Sequence, residues 1–289
     1  MTNRWVVGAR PRTLPAAVVP VAIGAGCAAG HGPIEWWRVG AALVVSLALQ
    51  VGVNYANDYS DGVRGTDDVR VGPVRLVASG LARPGEVKRA ALLAFAAAGV
   101  AGVALAAATS WWLIAVGVVA VAAAWGYTGG PKPYGYLGLG ELFVFTFFGL
   151  VATCGTTYAA VEKITGVSVT MGCAAGSIIC ALLVVNNLRD IPTDTVAGKR
   201  TLAVRLGDAR TRVFYTALVA ATFVLVVIGA VVWRPAALLG LAAAPFAVPA
   251  VRRIHGGASG KDLIPVLGET GRTQLIFGLF VTLGLAIGA

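Results

Sequence analysis

Long apolar runs separated by short polar segments set the pattern of this chain, and nine of them have the length that crosses a hydrocarbon core, about 17 to 23 residues. They fall near residues 13–30, 38–56, 90–109, 111–127, 139–161, 168–187, 213–233, 235–251 and 273–289. Such runs are about twice the length of barrel strands, so the pattern predicts an all-α, multi-pass transmembrane helical bundle. Ala, Gly and Val dominate the runs, and small residues let helices approach closely in lipid, where hydrophobicity alone does not drive association. The first run follows Arg4, Arg10 and Arg12 and mimics a secretion signal. Eight further spans leave no soluble remainder to secrete, so it is read as a retained helix. No soluble insertion or low-complexity linker interrupts the series, which predicts one integral membrane domain over residues 1–289, built as two four-helix units plus a ninth helix.

Composition agrees: 57% of the residues are hydrophobic and 12% charged, more apolar than a soluble domain of this size needs. The net charge of +10 raises the question of nucleic acid, and the placement of the bases answers it. Twenty of the 23 Lys and Arg lie in segments 1–12, 57–89, 128–138, 188–212 and 252–272, whereas the alternate segments hold only Arg38, Lys163 and Arg234. By the positive-inside rule this predicts an N-in, C-out protein of the cytoplasmic membrane whose partner is the lipid bilayer and not nucleic acid. Trp36, Trp37, Trp111, Trp112 and Trp233 fall at span ends on the expected outer side, as an interfacial aromatic belt requires. Cys27, Cys154, Cys173 and Cys180 lie within apolar runs without metal-ligand spacing and read as small core residues. His31 and His255 belong to connections on opposite faces, which excludes a shared metal.

Two acidic segments stand where apolar runs end: Asn54-Tyr-Ala-Asn57-Asp58-Tyr-Ser-Asp61 and Asn186-Asn187-Leu-Arg189-Asp190-Ile-Pro-Thr-Asp194. Carboxylates beside lipid are costly and imply a use, such as a divalent cation, a cationic partner or a proton path. The pattern D-x-V-x-G recurs at Asp61 and Asp194, which reads as one site built twice. Residues three and four apart share a helix face, so Asn54, Asp58 and Asp61 align, as do Asn186 and Asp190. Pro192 predicts a break that leaves Asp194 on a turn. Facing a cleft, these acids are expected to contribute little to helix packing. Clustered carboxylates with amide neighbours suit Mg²⁺, which shares its shell with water and substrate phosphates. Arg64, Arg70, Arg75, Lys199, Arg200 and Arg205 follow the clusters and supply charge for a phosphate group. Surface ion pairing with these bases is the plain alternative for one cluster, but it does not account for two matched ones. A third segment, from Trp125 through Tyr127, Lys132, Tyr134 and Tyr136 to Glu141, is a Gly- and Pro-rich turn. Its aromatic faces suit an allylic cation or anchor the chain at the interface, and Lys132 suits an anion.

Together these segments resemble the membrane-bound aromatic prenyltransferase (UbiA) family, which carries two Asp-rich motifs on the second and sixth of nine helices. The resemblance covers nearly the whole chain. The family's first motif, N-D-x-x-D-x-x-x-D, is matched by Asn57, Asp58 and Asp61; Gly65 stands at its last acidic position and Asp67 follows two residues later. That variant, with Asn187-Leu-Arg189-Asp190 and Gly198-Lys199-Arg200-Thr-Leu-Ala-Val-Arg-Leu-Gly207, is similar to the branch of the family acting on 1,4-dihydroxy-2-naphthoate in menaquinone synthesis. The resemblance implies an allylic polyprenyl diphosphate held by Mg²⁺ and bases, ionisation of its C–O bond, attack by a naphthoate ring carbon and loss of carbon dioxide. It implies Asp58, Asp61, Asp190 and Asp194 as metal-binding acids and Lys199 as a diphosphate contact. Asn54, Asn57, Asp67, Arg75, Tyr127, Lys132, Asn187, Arg189 and Arg200 are then expected around the substrates.

Two other readings stay open. The same chemistry on 4-hydroxybenzoate, homogentisate or haem is separated from the naphthoate reading only by product identification. A cation-coupled transporter would place its acids at the midplane of repeated halves, whereas these acids stand at span ends, on one side, beside phosphate-binding bases.

Overall fold

The computed structural model describes residues 3–66 and 74–289. Helices α1 (Arg4–Ala9), α2 (Pro15–Ala28), α3 (Trp36–Arg64), α4 (Pro84–Ala108) and α5 (Trp112–Gly126) form the first half. Helix α6 (Gly140–Val144) continues through a π-helical segment, Phe145–Val151, into α7 (Ala152–Val161). Helices α8 (Gly166–Val196), α9 (Leu202–Val232), α10 (Ala244–His255) and α11 (Leu263–Ile287) complete the chain, and no strand occurs among the described residues. The boundaries follow local chemistry. Thr165 and Ser168 cap α8 reciprocally, each side chain accepting from the other's backbone N–H at 3.1 Å. Proline opens α2 and α4, where a missing N–H costs nothing. Gly65 closes α3 in the left-handed region at φ 69°.

Among the described residues, seven helical rods are long and apolar enough to cross a membrane. An eighth consists of Arg4–Thr13 and Pro15–Ala28, bent by 49°. The fourth expected run becomes α5, whose 15 residues span about 22 Å, short of a ~30 Å hydrocarbon core. Each of the nine runs is thus helical, the eighth opening as a 3-10 segment over Pro235–Ala243, and α5 is too short to cross alone because Gly126 leads into the Gly- and Pro-rich turn. Several rods outrun their apolar patterns. Helix α3 continues from residue 56 to Arg64 and carries its acids on its last turns. Helix α8 runs through Pro192, so Asp194 stands on a helix and not on the expected turn. A proline there removes one hydrogen bond close to the helix end, and Thr193 and Thr195 return hydroxyls to the Asp190 and Ile191 carbonyls at 3.0 and 2.7 Å.

Helix α8 is the axis of the molecule: 72% of its apolar window is buried within the protein, against 28% to 44% for the other spans. It packs on α9 as α3 packs on α4, the same pairing in each half. Helix α2 joins the halves by packing on α3, α7, α8 and α11. One core, with Ile178, Val184, Tyr215 and Phe277, lies among α2 and α8–α11; a smaller one, with Tyr55, Val87 and Phe95, lies among α3–α5. At the end away from the acids, Trp36, Trp111 and Trp112 are exposed. Arg234 is buried there and donates to the carbonyls of Gly26 and Leu285 at 3.2 and 2.9 Å and to that of Ala29. It fastens α2 to α11, a use of this arginine that charge counting does not show.

Backbone contact between α8 and the π segment is possible only because both carry glycine. A Cβ built on Gly149 would lie 2.5 Å from the Gly176 Cα. Gly149→Val should therefore lower the unfolding temperature of the detergent-purified protein, with a cost of about 1–3 kcal/mol or more. Gly155→Ala, whose Cβ meets nothing within 4 Å, should leave that temperature unchanged or raise it.

Candidate functional site

The C-terminal ends of α3 and α8 and the turn between α5 and α6 converge on one polar cluster. Asp61, on the last turn of α3, is 4% exposed. Its Oδ1 accepts a hydrogen bond from the Tyr136 hydroxyl at 2.6 Å and lies 3.4 Å from the Lys199 Nζ, while Arg75 stands 4.0 Å from Oδ2. Lys199 follows α8, is buried, and sits over the Tyr136 ring at 4.8 Å from its centroid. Gly198, at φ 71°, turns the chain so that the Lys199 N–H returns to the Asp194 carbonyl at 2.8 Å. One carboxylate from the first half is thus held by an ammonium from the second and by a phenol from the connecting turn. Arg64 secures the turn from α3 by donating to the carbonyls of Thr128 and Gly130.

The other acids are also engaged. Asp58 is fully buried, and its two oxygens accept from the backbone N–H groups of Leu76 and Val77 at 2.8 and 3.0 Å. It ties the segment after α3 back onto the helix, so the expectation that these acids do little for packing fails at this position. Asp190 is buried and faces the guanidinium of its chain neighbour Arg189 through two parallel contacts, 2.7 and 2.8 Å. Asp194 is half-buried. Among the described residues, no three His, Cys, Asp or Glu side chains converge closely enough to close a metal shell by themselves. The donors are carboxylates and amides, with no thiolate or imidazole among them. That set suits a hard cation which takes its remaining ligands from phosphate oxygens and water, the habit of Mg²⁺.

The remaining expected residues divide. Asn57 accepts from the Thr128 hydroxyl at 2.7 Å and joins the cluster. Asn54 instead donates to the Ala9 carbonyl and the Thr13 hydroxyl at 2.8 and 3.0 Å, holding the link between α1 and α2. Asn187 donates to Glu141 at 2.8 Å. Lys132 and Arg200 are exposed on the rim, and Asp67 lies outside the described residues. Tyr127 packs against Gly140, where an added Cβ would lie 3.2 Å from its ring. Burial pushes its phenol well above the ordinary tyrosine value, and the nearby charges of Glu141, Asp61 and Asp194 add to the rise. Burial also raises Tyr134, and burial followed by the Asp61 carboxylate raises Tyr136. All three phenols therefore stay protonated at neutral pH, and that of Tyr136 donates to Asp61. From Tyr127 an aromatic row descends along α6: Tyr127–Tyr134 at 5.5 Å, Tyr134–Phe143 stacked at 3.9 Å and Phe143–Phe147 at 6.1 Å. Sequence reasoning gave Tyr136 only the general role of an aromatic face in this turn, not its bond to Asp61, and gave Glu141 no role. For Glu141 the available signal was an acid opening an apolar run.

The model of the UbiA prenyltransferase family matches residues 17–263. The chain is 52% identical to the 1,4-dihydroxy-2-naphthoate octaprenyltransferase of Mycobacterium tuberculosis, over 99% of this chain and 97% of that protein. It is 32% identical to the enzyme of the same name from Escherichia coli, over 98% and 95%. In fold it is similar to a UbiA homologue from Aeropyrum pernix, with a TM-score of 0.76, 16% identity and coverage of 95% of this chain and 98% of the other. A UbiA homologue from Archaeoglobus fulgidus bound to GPP and Mg²⁺ aligns with a TM-score of 0.65 at 14% identity, covering 97% and 99%.

Because Asp58 satisfies two buried backbone donors, its loss should cost stability whatever else it does. Asp58→Ala should lower the unfolding temperature, by about 1–3 kcal/mol in stability for each orphaned N–H. It should also speed hydrogen exchange of the Leu76 and Val77 amides. Unchanged exchange there would refute this anchoring role.

Proposed function

The chain belongs to the UbiA prenyltransferase family, and on that footing we propose that it transfers a polyprenyl group from an allylic polyprenyl diphosphate to 1,4-dihydroxy-2-naphthoate. Carbon dioxide and diphosphate are released, and the product serves menaquinone synthesis. The observation that carries this reading is the 52% identity, over nearly the full length of both chains, to an enzyme named for that acceptor. The geometry supports it. Two acidic helix ends meet beside Lys199, Arg75 and Arg189, which combines oxygen donors for a hard cation with cations for a diphosphate.

Asp61, Asp190 and Asp194 would hold Mg²⁺, with Asp58 completing the acidic surface while it anchors the loop. The metal supplies charge neutralisation of the departing diphosphate. Lys199 and Arg75 already face Asp61, so an incoming diphosphate competes with that carboxylate for them. Their shift toward the phosphate oxygens stabilises charge as the C–O bond breaks. The neutral phenols of Tyr127, Tyr134 and Tyr136 line the turn with donors and aromatic faces, which suits an allylic cation shielded from water. The prenyl tail then lies along the apolar helices, and the whole chain, residues 1–289, acts as one domain whose site opens to the cytoplasm.

Purified protein given dihydroxynaphthoate, a polyprenyl diphosphate and Mg²⁺ should yield the prenylated, decarboxylated naphthoquinol, and excess chelator should abolish that product. Asp61→Asn and Asp190→Asn should each lower turnover about 10²–10³-fold. Prenylation of 4-hydroxybenzoate in preference to the naphthoate would assign the other acceptor class.

Orientation is tested separately. In a background lacking the four native cysteines, Val196→Cys and Ser259→Cys should react with an impermeant thiol reagent only from the cytoplasmic side. Glu35→Cys and Ile164→Cys should react only from outside. Labelling of Val196→Cys from outside would place the acidic ends in the wrong compartment for this reaction.

A further inference from the structure

Among the described residues, Glu141 is the acid near the cluster that neither the metal nor the diphosphate reading uses. It lies on the first turn of α6 and is 6% exposed. Its Oε1 accepts from the Asn187 amide at 2.8 Å, and its Oε2 is buried with no hydrogen-bond partner among the described residues. The surroundings hold it still. The Cys180 thiol donates to its backbone carbonyl at 3.1 Å, and Tyr127 closes on the adjacent Gly140. Asn187 stands three residues before Asp190 on α8, so the two share a face. Glu141 therefore sits about one helical turn, ~5 Å, below the acidic rim. The aromatic row that continues through Tyr134, Phe143 and Phe147 begins at Tyr127, against the adjacent Gly140. An aromatic ring that attacks the first carbon of a prenyl diphosphate has to lie at this depth, just beyond the phosphates.

A buried carboxylate oxygen without a donor is costly unless a ligand supplies one. Asp61 and Asp190 face cations, and Asp58 faces two backbone amides. Glu141 meets the neutral amide of Asn187 through Oε1 alone, so a ligand hydroxyl finds its second oxygen open as an acceptor. Resting on the naphthoate reading above, we propose that Glu141 receives the acceptor hydroxyl next to the carboxyl-bearing ring carbon, taking its proton during C–C bond formation and returning it afterwards. As that O–H bond breaks, its electrons form the ketone C=O bond, and the ring carbon's π electrons form the new bond to the prenyl carbon. The C–O pair of the prenyl diphosphate leaves with diphosphate. The carboxylate, now β to a ketone, departs as carbon dioxide, and its C–C pair makes an enolate that takes the proton back from Glu141. Starting from the naphthoate carboxylate, no net proton is consumed. Glu141 thus ends each cycle in the state in which it began.

Glu141→Gln keeps the shape and the Asn187 contact but removes the base. It should lower kcat about 10²-fold or more and flatten the acidic limb of the pH profile. Affinity for a non-hydrolysable prenyl thiodiphosphate with Mg²⁺ should stay within about twofold, since this variant leaves the charged groups of the acidic rim intact. Glu141→Asp, which keeps the carboxylate, should recover part of the rate, and Glu141→Ala removes the base in its turn should the Gln variant fail to fold. A second comparison uses binding. 1,4-Dihydroxy-2-naphthoate should bind wild type about tenfold more tightly than the Gln variant, whereas 4-hydroxy-2-naphthoate, which lacks the hydroxyl in question, should bind both alike. Wild-type kcat and pH profile in Glu141→Gln would overturn the assignment and leave the proposed function standing. Equal loss of stability, prenyl thiodiphosphate affinity and rate would reduce Glu141 to a structural residue. Failure of wild type to prenylate the naphthoate at all would remove both readings.

Discussion

The contact between Asp61 and Lys199 joins the two halves of the molecule at the point where the chemistry is set. Two charges beside lipid are tolerable only when each answers the other and the remaining hydrogen-bonding capacity is filled. Tyr136 completes that requirement by donating to Asp61 and offering its ring to Lys199. The ends of α3 and α8 and the turn between α5 and α6 are therefore fixed by one small cluster of groups. If Asp61 is displaced, the Lys199 ammonium and the Tyr136 hydroxyl lose their common partner in an apolar setting.

Helix packing delivers those ends to one place. In lipid the close approach of helices depends on small residues, and the contact of Gly149 with Gly176 brings the π segment against α8 at backbone distance. A π turn shifts the register of the rod that contains it, and such turns recur at functional sites. Here it lies directly after α6, the element that carries Glu141 to Asn187. The same close packing that holds the rods together thus sets the depth of a buried acid relative to the acidic rim.

The structure also divides the labour among residues that look alike. Asp58 and Asp61 stand one turn apart on the same helix, yet one holds a loop by its backbone and the other faces movable cations. Asn54 and Asn187 occupy comparable places in the two clusters, yet Asn54 secures the N-terminal segment and Asn187 orients Glu141. Repetition of the motif therefore produced two similar helix ends with different duties, as expected when a duplicated half packs against a different neighbour.

Much of this was legible in the chain alone. Run length and composition determined an all-helical membrane protein, because a buried backbone in lipid has to bond within its own helix. The spacing of Asn54, Asp58 and Asp61 and of Asn186 and Asp190 determined that polar faces stand at the ends of two helices, because helical periodicity is local. What the sequence did not hold were the long-range partners. Helix α8 passes Pro192 because a single backbone bond is lost there, close to the helix end. Asp58 meets Leu76 and Val77, and Lys199 meets Asp61, only once the loops fold back. Glu141 gains meaning only beside Asn187, 46 residues later. Local periodicity is written in neighbouring residues, whereas the partner of a buried charge is decided by which helices close around it.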